Sequence, residues 1–170
     1  LGLGLLLRHP ARVRAAVLIS GSAGLDTEVA RAERRAADAR WSELLEGQGL
    51  AAFVSRWQAQ PLFASQSALP AELREAEARR RSSHTASGLA RSLRVTGLGE
   101  MPAYRPDLPK INQPVAWLVG ELDPRFVALG RELVPALRNG RLCEVKGAGH
   151  NLLLERPSAV ASAIARELAP

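Results

Sequence analysis

Three short segments of the chain are apolar at nearly every position and end at turn residues. They are AAVLIS (15–20), PVAWLVGEL (114–122) and RLCEVKG (141–147). Runs of this length that are hydrophobic on both faces are typical of parallel strands covered by helices. Amphipathic segments follow the second and third runs, one with a stop at Gly140 and one opened by Pro157. The repeated strand–helix order predicts an α/β fold with parallel strands.

The long stretch between the first and second strands contains no segment with the pattern of a strand. Helical spacing instead predicts helices over 26–46, 48–58, 71–81 and 85–96, with a loop at QAQPLFASQSALP. A long helical excursion between two strands of a parallel sheet is usually a lid over the strand ends. We therefore expect a core made of 1–24 and 107–170, and a helical lid insertion over 25–106.

Composition narrows the class of protein. The content is 46% hydrophobic and 24% charged, which is typical of a soluble globular protein, and no run approaches the length of a membrane span. The single cysteine, Cys143, excludes an intramolecular disulfide and fits a reducing compartment, so we expect a cytoplasmic protein. We read it as a core thiol, because no metal-ligand spacing surrounds it.

The net charge of +6 comes almost entirely from arginines, which are interspersed with acids. Aromatic residues make up only 4% of the chain, so platforms for stacking bases are scarce. We therefore expect no nucleic-acid partner and favour a small anionic ligand.

Asp123 and His150 each follow a predicted strand, at its carboxyl end. Ligands of open α/β sheets bind beyond these strand ends, and adjacent strands would place the carboxylate near the imidazole. A carboxylate there fixes the histidine tautomer and stabilises the imidazolium. Taken singly, Asp123 could instead cap the helix that begins at Pro124, and His150 could be a polar loop residue. Their shared position and the acid-then-histidine order favour a catalytic pair.

That order is the one found in α/β hydrolases, where a serine in a G-x-S-x-G turn comes first. No serine of this chain lies in such a motif. Ser20 and Ser22 in LISGSAGL come closest, but they follow a strand that should come after the helix behind the nucleophile. The opening segment LGLGLLLRHPARVRAAVLISGSAGL is similar to that helix and the next strand. We therefore expect the C-terminal half of an α/β-hydrolase fold, with the nucleophile just upstream of Leu1.

Four segments indicate a particular family among the α/β hydrolases. They are AERRAADARW, WQAQPLFAS, SGLARSLRVTGLG and GELDPRF. Together they resemble the 2-succinyl-6-hydroxy-2,4-cyclohexadiene-1-carboxylate synthase family, α/β-hydrolase-fold enzymes of menaquinone biosynthesis. The resemblance implies a lyase that eliminates pyruvate from a small-molecule polycarboxylate. It also implies that a Ser-Asp-His triad abstracts a proton rather than forming an acyl-enzyme, and that no metal or organic cofactor takes part.

Arg34 interrupts an apolar helical stripe formed by Ala30, Ala37, Trp41 and Leu44. The opposite, solvated face is expected to carry Arg31, Arg35, Asp38 and Ser42. An arginine that faces the interior needs an anionic partner, and its planar fork suits a carboxylate. That partner could be a substrate carboxylate, as the resemblance implies, or an acid of the insertion such as Glu33.

The run RRRSSH offers a second substrate arginine. The resemblance favours Arg81, whereas helical spacing from Leu69, Leu73 and Ala76 favours Arg80, and a solvated basic helix end is a third interpretation. Trp57 and Phe63 flank WQAQPLF and would form a pocket wall, or else ordinary core. His9 and His84 are expected at the surface.

Two rival functions stay open. The first is another α/β-fold hydrolase, an esterase or carbon–carbon hydrolase, which would work through an acyl-enzyme without carboxylate-binding arginines. The second is a catalytically inactive fragment or binding module. Taken alone, the chain is expected to be inactive for lack of the nucleophile, and to expose a sheet edge that promotes aggregation.

Overall fold

The computed structural model describes residues 1–168, with side chains up to Glu167. The chain divides into two compact units. One contains the sheet and is formed by Leu1–Ala23 and Tyr104–Pro170; we call it the sheet unit. The other, Gly24–Ala103, is entirely helical in its regular structure, and we call it the helical unit.

Three parallel strands form the sheet in the order β1-β2-β3. They are β1 (Ala16–Ile19), β2 (Val115–Gly120) and β3 (Gly140–Val145). Val115 aligns with Ala16 on one side and with Gly140 on the other. The predicted strands and their parallel arrangement are confirmed, so the carboxyl ends of all three strands meet at one edge of the sheet.

The central strand β2 is buried along its whole length. Trp117, completely buried, points to the side covered by α1 (Gly2–Arg8) and α5 (Pro124–Leu133). Leu118 points to the other side, where α7 (Pro157–Leu168) packs. Cover on both faces explains why this segment of the sequence is continuously apolar.

In the part of the sheet unit that the structure describes, four shorter helical segments accompany these elements. They are α6 (Leu152–Glu155) and the 3-10 turns Pro10–Arg12, Arg105–Lys110 and Val134–Ala136. The helix expected to run to Gly140 ends at Leu133, because Pro135 lacks the N–H that would continue it. Gly140 begins β3 instead of ending a helix.

The helical unit consists of α2 (Glu28–Gln58), α3 (Ala71–Ser82) and α4 (Ala86–Thr96). The two helices expected over 26–46 and 48–58 are joined, with the single non-helical residue Gly49 at the junction. The expected loop QAQPLFASQSALP is also wrong in part, since Pro61–Ala68 forms 3-10 turns. Proline in the first turn suits such a start, because its missing N–H has no partner there anyway.

The core of the helical unit lies between α2 and α4. Leu44, Leu45, Phe53 and Val54 of α2 pack there with Ala90 of α4. Two further α2 residues lie on this side, against expectation: Asp38 is 4% exposed and Ser42 is 1% exposed. The predicted solvated face is wrong at these positions because α4 covers it, and the hydroxyl of Ser42 donates to the carbonyl of Ala90.

Each helix within residues 1–168 is either too short or too polar to cross a membrane.

Candidate active site

Asp123 has two tasks at the end of β2. It is the N-cap of α5, where Oδ1 accepts a hydrogen bond from the N–H of Phe126 at 3.2 Å. Its Oδ2 lies 2.8 Å from Nδ1 of His150. Asp123 therefore caps α5 with one carboxylate oxygen and contacts the imidazole with the other, so the two interpretations do not exclude each other.

The hydrogen bond between Asp123 and His150 leaves the imidazole with an acceptor nitrogen, as a catalytic base requires. An ionised carboxylate can only accept hydrogen bonds, so Nδ1 of His150 donates and Nε2 is the acceptor of the neutral ring. The side chain of Asp123 is 3% exposed and that of His150 is 22% exposed. The aromatic ring of Phe126 lies 4.6 Å from the imidazole, centroid to centroid. The carboxylate is thus shielded, while the imidazole remains accessible to a reactant.

The turn that carries His150 sits directly on the end of β2. The N–H of Leu122 donates to the carbonyl of Ala148 at 2.8 Å. The approach is so close that a Cβ on Gly120 would lie 2.1 Å from the carbonyl oxygen of Gly149. Gly147 begins the turn with φ +65°, a conformation that favours glycine. Two glycines therefore allow the tight approach that brings His150 to Asp123.

Ser20 and Glu155 also contact this turn, although the sequence pattern assigns neither to the site. The hydroxyl of Ser20 donates to the backbone carbonyl of His150 at 2.8 Å, so this bond is made with the turn and not with the imidazole. The carboxylate of Glu155 accepts from backbone N–H groups of the same turn. The only signal in the sequence is that Ser20 ends a strand and Glu155 lies five residues after His150.

In the helical unit, Arg34 is bound to an acid of its own helix. Its Nε donates to Oδ1 of Asp38 at 2.9 Å, and the side chains are 35% and 6% exposed. The partner is Asp38, one turn further along α2, and not Glu33. The bond uses Nε, which is the inner nitrogen of the guanidinium.

Arg81 faces the interior of the helical unit, whereas Arg80 faces outward. Their side chains are 16% and 66% exposed, so the helical spacing that favoured Arg80 is wrong. The spacing failed because Leu73, one of the residues that defined it, is itself 43% exposed. The inner face of α3 is instead marked by Glu77, which is 7% exposed and binds both arginines.

The guanidinium of Arg81 is held from three sides. Its Nε donates to Glu77 at 2.9 Å and its Nη2 donates to Gln66 at 3.1 Å. Its central carbon lies 5.2 Å from the centroid of the Phe63 ring, which is a cation–π distance. Phe63 in turn contacts Trp57, with ring centroids 6.2 Å apart.

A cavity of about 230 Å³ opens beside Arg81 within the helical unit. It is lined by Phe53, Val54, Trp57, Arg81, His84, Leu89, Ser92 and Leu93. His84 is exposed as expected, yet it also belongs to this wall, and its position three residues after Arg81 was the available signal. A cation set among aromatic and aliphatic walls suits an anionic ligand with an apolar body.

The class of this protein follows from its match to a known protein family. The alpha/beta hydrolase family matches residues 1–163. The chain belongs to this family. The expected α/β-hydrolase fold is thereby confirmed, and the pair formed by Asp123 and His150 lies in an α/β hydrolase.

Curated relatives of this α/β hydrolase carry the name that the sequence segments suggested. A protein of Salmonella newport (strain SL254) named 2-succinyl-6-hydroxy-2,4-cyclohexadiene-1-carboxylate synthase is 37% identical over 153 residues, which cover 89% of this chain and 57% of the relative. A Bacillus subtilis (strain 168) protein given the same name provisionally is 35% identical over 151 residues, covering 89% and 55%. The resemblance is thus confirmed, and this α/β hydrolase spans little more than half the length of these relatives.

Solved structures agree with this assignment. The structure of MenH from S. aureus superposes with a TM-score of 0.93 at 29% identity, covering 98% of this chain and 62% of that one. A thermophilic esterase from Thermogutta terrifontis superposes with a TM-score of 0.76 at 21% identity, covering 98% and 60%. The second likeness shows the shared fold of the α/β hydrolases.

Proposed function

We propose that this chain supplies the acid, the base and the carboxylate-binding arginines of a 2-succinyl-6-hydroxy-2,4-cyclohexadiene-1-carboxylate synthase, a lyase of menaquinone biosynthesis that eliminates pyruvate. The observation that carries the proposal is the 2.8 Å hydrogen bond between Asp123 and His150 at the strand ends. The named relatives support the choice of reaction.

The proposed chemistry is a proton abstraction. Asp123 holds Nδ1 of His150 protonated, so Nε2 can accept the proton of a serine hydroxyl and activate that oxygen as a base. The activated oxygen removes a proton from a substrate carbon, and the electron pair left behind forms a double bond as the bond to the pyruvyl group breaks. That group leaves as the enolate of pyruvate and takes up the proton held by His150, so the imidazole returns to its neutral form. The proposal requires a serine from outside these 170 residues, since the sequence contains no G-x-S-x-G motif.

The proposed substrate contacts are Arg34 and Arg81, with Trp57 and Phe63 as apolar walls. Both arginines are oriented through Nε by a buried acid of their own helix, Asp38 for Arg34 and Glu77 for Arg81. A guanidinium held in this way is preorganised, so less side-chain entropy is lost when it binds a carboxylate. A polycarboxylate substrate is the ligand class that these arginines would select.

The first experiment is to read the coding DNA upstream of Leu1 and assay the encoded protein for pyruvate release. An in-frame glycine-x-serine-x-glycine motif followed by pyruvate release would support the proposal. In that protein, His150→Ala should lower kcat at least about a hundredfold, because general-base catalysis is lost. A stop codon or unrelated sequence upstream would instead leave the chain as a fragment without turnover.

Adjacent arginines provide a matched pair for the substrate contacts. Arg81→Gln should raise KM about tenfold or more, because a charge-assisted hydrogen bond to a carboxylate is lost. Arg80→Gln should leave KM nearly unchanged, since Arg80 is largely exposed. Each variant leaves Glu77 one arginine partner, and the control removes the larger share of its hydrogen bonds, since Arg80 donates two to that buried acid and Arg81 donates one.

The rival reaction predicts the opposite result. An esterase or carbon–carbon hydrolase would turn over neutral esters, and both arginine variants would be as active on them as the unsubstituted protein. Turnover of neutral esters without pyruvate release would therefore replace the lyase proposal with the hydrolase.

A further inference from the structure

We propose that Glu155 and Ser20 are positioning residues that together aim the imidazole of His150 at Asp123. The inference rests on the proposed function only in assigning a catalytic purpose to His150. Neither side chain is proposed to touch substrate. Both act on the backbone of the turn that carries His150.

Glu155 binds the backbone N–H groups of the two residues on either side of the histidine. Its Oε2 accepts the N–H of Gly149 at 2.6 Å and its Oε1 accepts the N–H of Asn151 at 3.2 Å. The residue is only 6% exposed, so both bonds form where water competes weakly. A carboxylate that accepts from two backbone N–H groups in this way is a strong clamp.

Helix capping alone would explain only one of the two hydrogen bonds that Glu155 accepts. Asn151 is the N-cap of α6, and an acid in the first turn that reaches back to the N-cap N–H is a familiar helix-capping device. Helix capping does not require the bond to the N–H of Gly149, because Gly149 precedes the N-cap residue. The second oxygen of Glu155 therefore serves the turn and not the helix.

Ser20 holds the same turn from the direction of the sheet. It follows β1, and its N–H continues the pairing of that strand by donating to Leu118. Its φ is +45°, a left-handed conformation that is strained for a residue with a side chain. From this position its hydroxyl reaches the carbonyl oxygen of His150. Strain of this kind is retained where the surrounding structure requires a particular side-chain direction.

The three hydrogen bonds act on three consecutive residues. The N–H groups of Gly149 and Asn151 and the carbonyl of His150 are all engaged, so the direction in which the His150 side chain leaves the backbone is restrained. Catalytic groups must be held within about 0.5 Å of the productive geometry. The sheet edge and α6 together set that direction.

The experiment is proton–nitrogen NMR of the His150 ring in the 170-residue chain. The readout is the Nδ1–H resonance and the tautomer of the neutral ring, neither of which a merely structural residue would change. Glu155→Gln keeps the size of the side chain but replaces one acceptor oxygen with an amino group that faces a backbone N–H. Glu144→Gln is the control, because Glu144 lies in the same unit and accepts from Arg131.

We expect Glu155→Gln to weaken or abolish the Nδ1–H resonance and to raise amide exchange at Gly149 and Asn151 about tenfold or more. Glu144→Gln should change neither quantity. An unaltered His150 tautomer and Nδ1–H resonance in a folded Glu155→Gln chain would overturn the role of Glu155.

Ser20 supplies a second route if Glu155→Gln does not fold. Ser20→Ala and Ser20→Gly both remove the hydroxyl, but only glycine relieves the left-handed backbone. Loss of the Nδ1–H resonance in both variants supports the positioning role, and an unchanged resonance in both overturns it. The NMR outcomes report only the geometry of the His150 ring. A failure to detect pyruvate release in the lyase assay would contradict the proposed reaction and would leave the NMR result unchanged.

Discussion

At the scale of single residues, Asp123 shows how one carboxylate combines two functions. One oxygen caps α5 and the other binds His150. The sequence predicts both possibilities, because an aspartate before proline and after a strand fits each of them. It cannot predict that they coexist, since this depends on the direction in which each oxygen points.

Two substitutions of Asp123 separate these functions. Asp123→Asn retains an oxygen that can cap α5, whereas Asp123→Ala removes the cap as well. We expect both to abolish the Nδ1–H resonance of the carboxylate–imidazole pair. The alanine variant should be less stable than the asparagine variant by about 1 kcal/mol, the usual value of an N-cap.

Urea unfolding of both variants, with NMR of His150, measures the two effects separately. Equal free energies of unfolding for the asparagine and alanine variants would show that the cap contributes nothing.

At the scale of elements, the positions of strands and helices along the sequence could be predicted better than which of their faces are buried. Strands and helices follow from periodicity, although the helix expected to run to Gly140 ends at Leu133. Burial of Asp38 and Ser42 could not be predicted, because it arises from α4 packing over α2. The clamp by Glu155 could not be predicted either, since it depends on how α6 folds back onto the turn.

Gly47 and Gly49 of α2 differ in backbone conformation, so alanine should affect the two positions differently. Gly47 and Gly49 both have open space where a Cβ would be, but only Gly49 has a positive φ, +80° with ψ 178°. Gly47→Ala should stabilise the chain by up to about 1 kcal/mol, because alanine is the better helix former. Gly49→Ala should destabilise it by about 1–3 kcal/mol, because that conformation is confined to glycine.

Thermal unfolding of the two variants tests the difference. A shift of the midpoint in the same direction for both would contradict the role of backbone conformation at Gly49.

At the scale of the whole molecule, β1 lies at an edge of the sheet. Among residues 1–168, β1 has β2 as its one partner strand, so its outer edge carries no neighbouring strand. Leu5 on α1 is 49% exposed. Unpaired strand edges are templates for pairing with another chain.

We therefore expect the 170-residue chain to self-associate with increasing concentration, as sedimentation velocity would show. Leu5→Glu separates two causes. Association through the edge of β1 should persist in this variant, whereas association through the apolar surface of α1 should weaken. A monomer at every concentration would contradict the prediction.

The chain leaves the sheet unit and returns to it at one point. The N–H of Tyr104 donates to the carbonyl of Ala23 at 2.6 Å. On the other side of this junction, Gly24 has φ +94°, and a Cβ there would lie 2.4 Å from the carbonyl oxygen of Pro102. Closing a long flexible loop costs entropy before any distant contact forms. If the helical unit folds first, it brings Ala23 and Tyr104 together, and β1 then pairs with β2 as though the two strands were near neighbours in sequence.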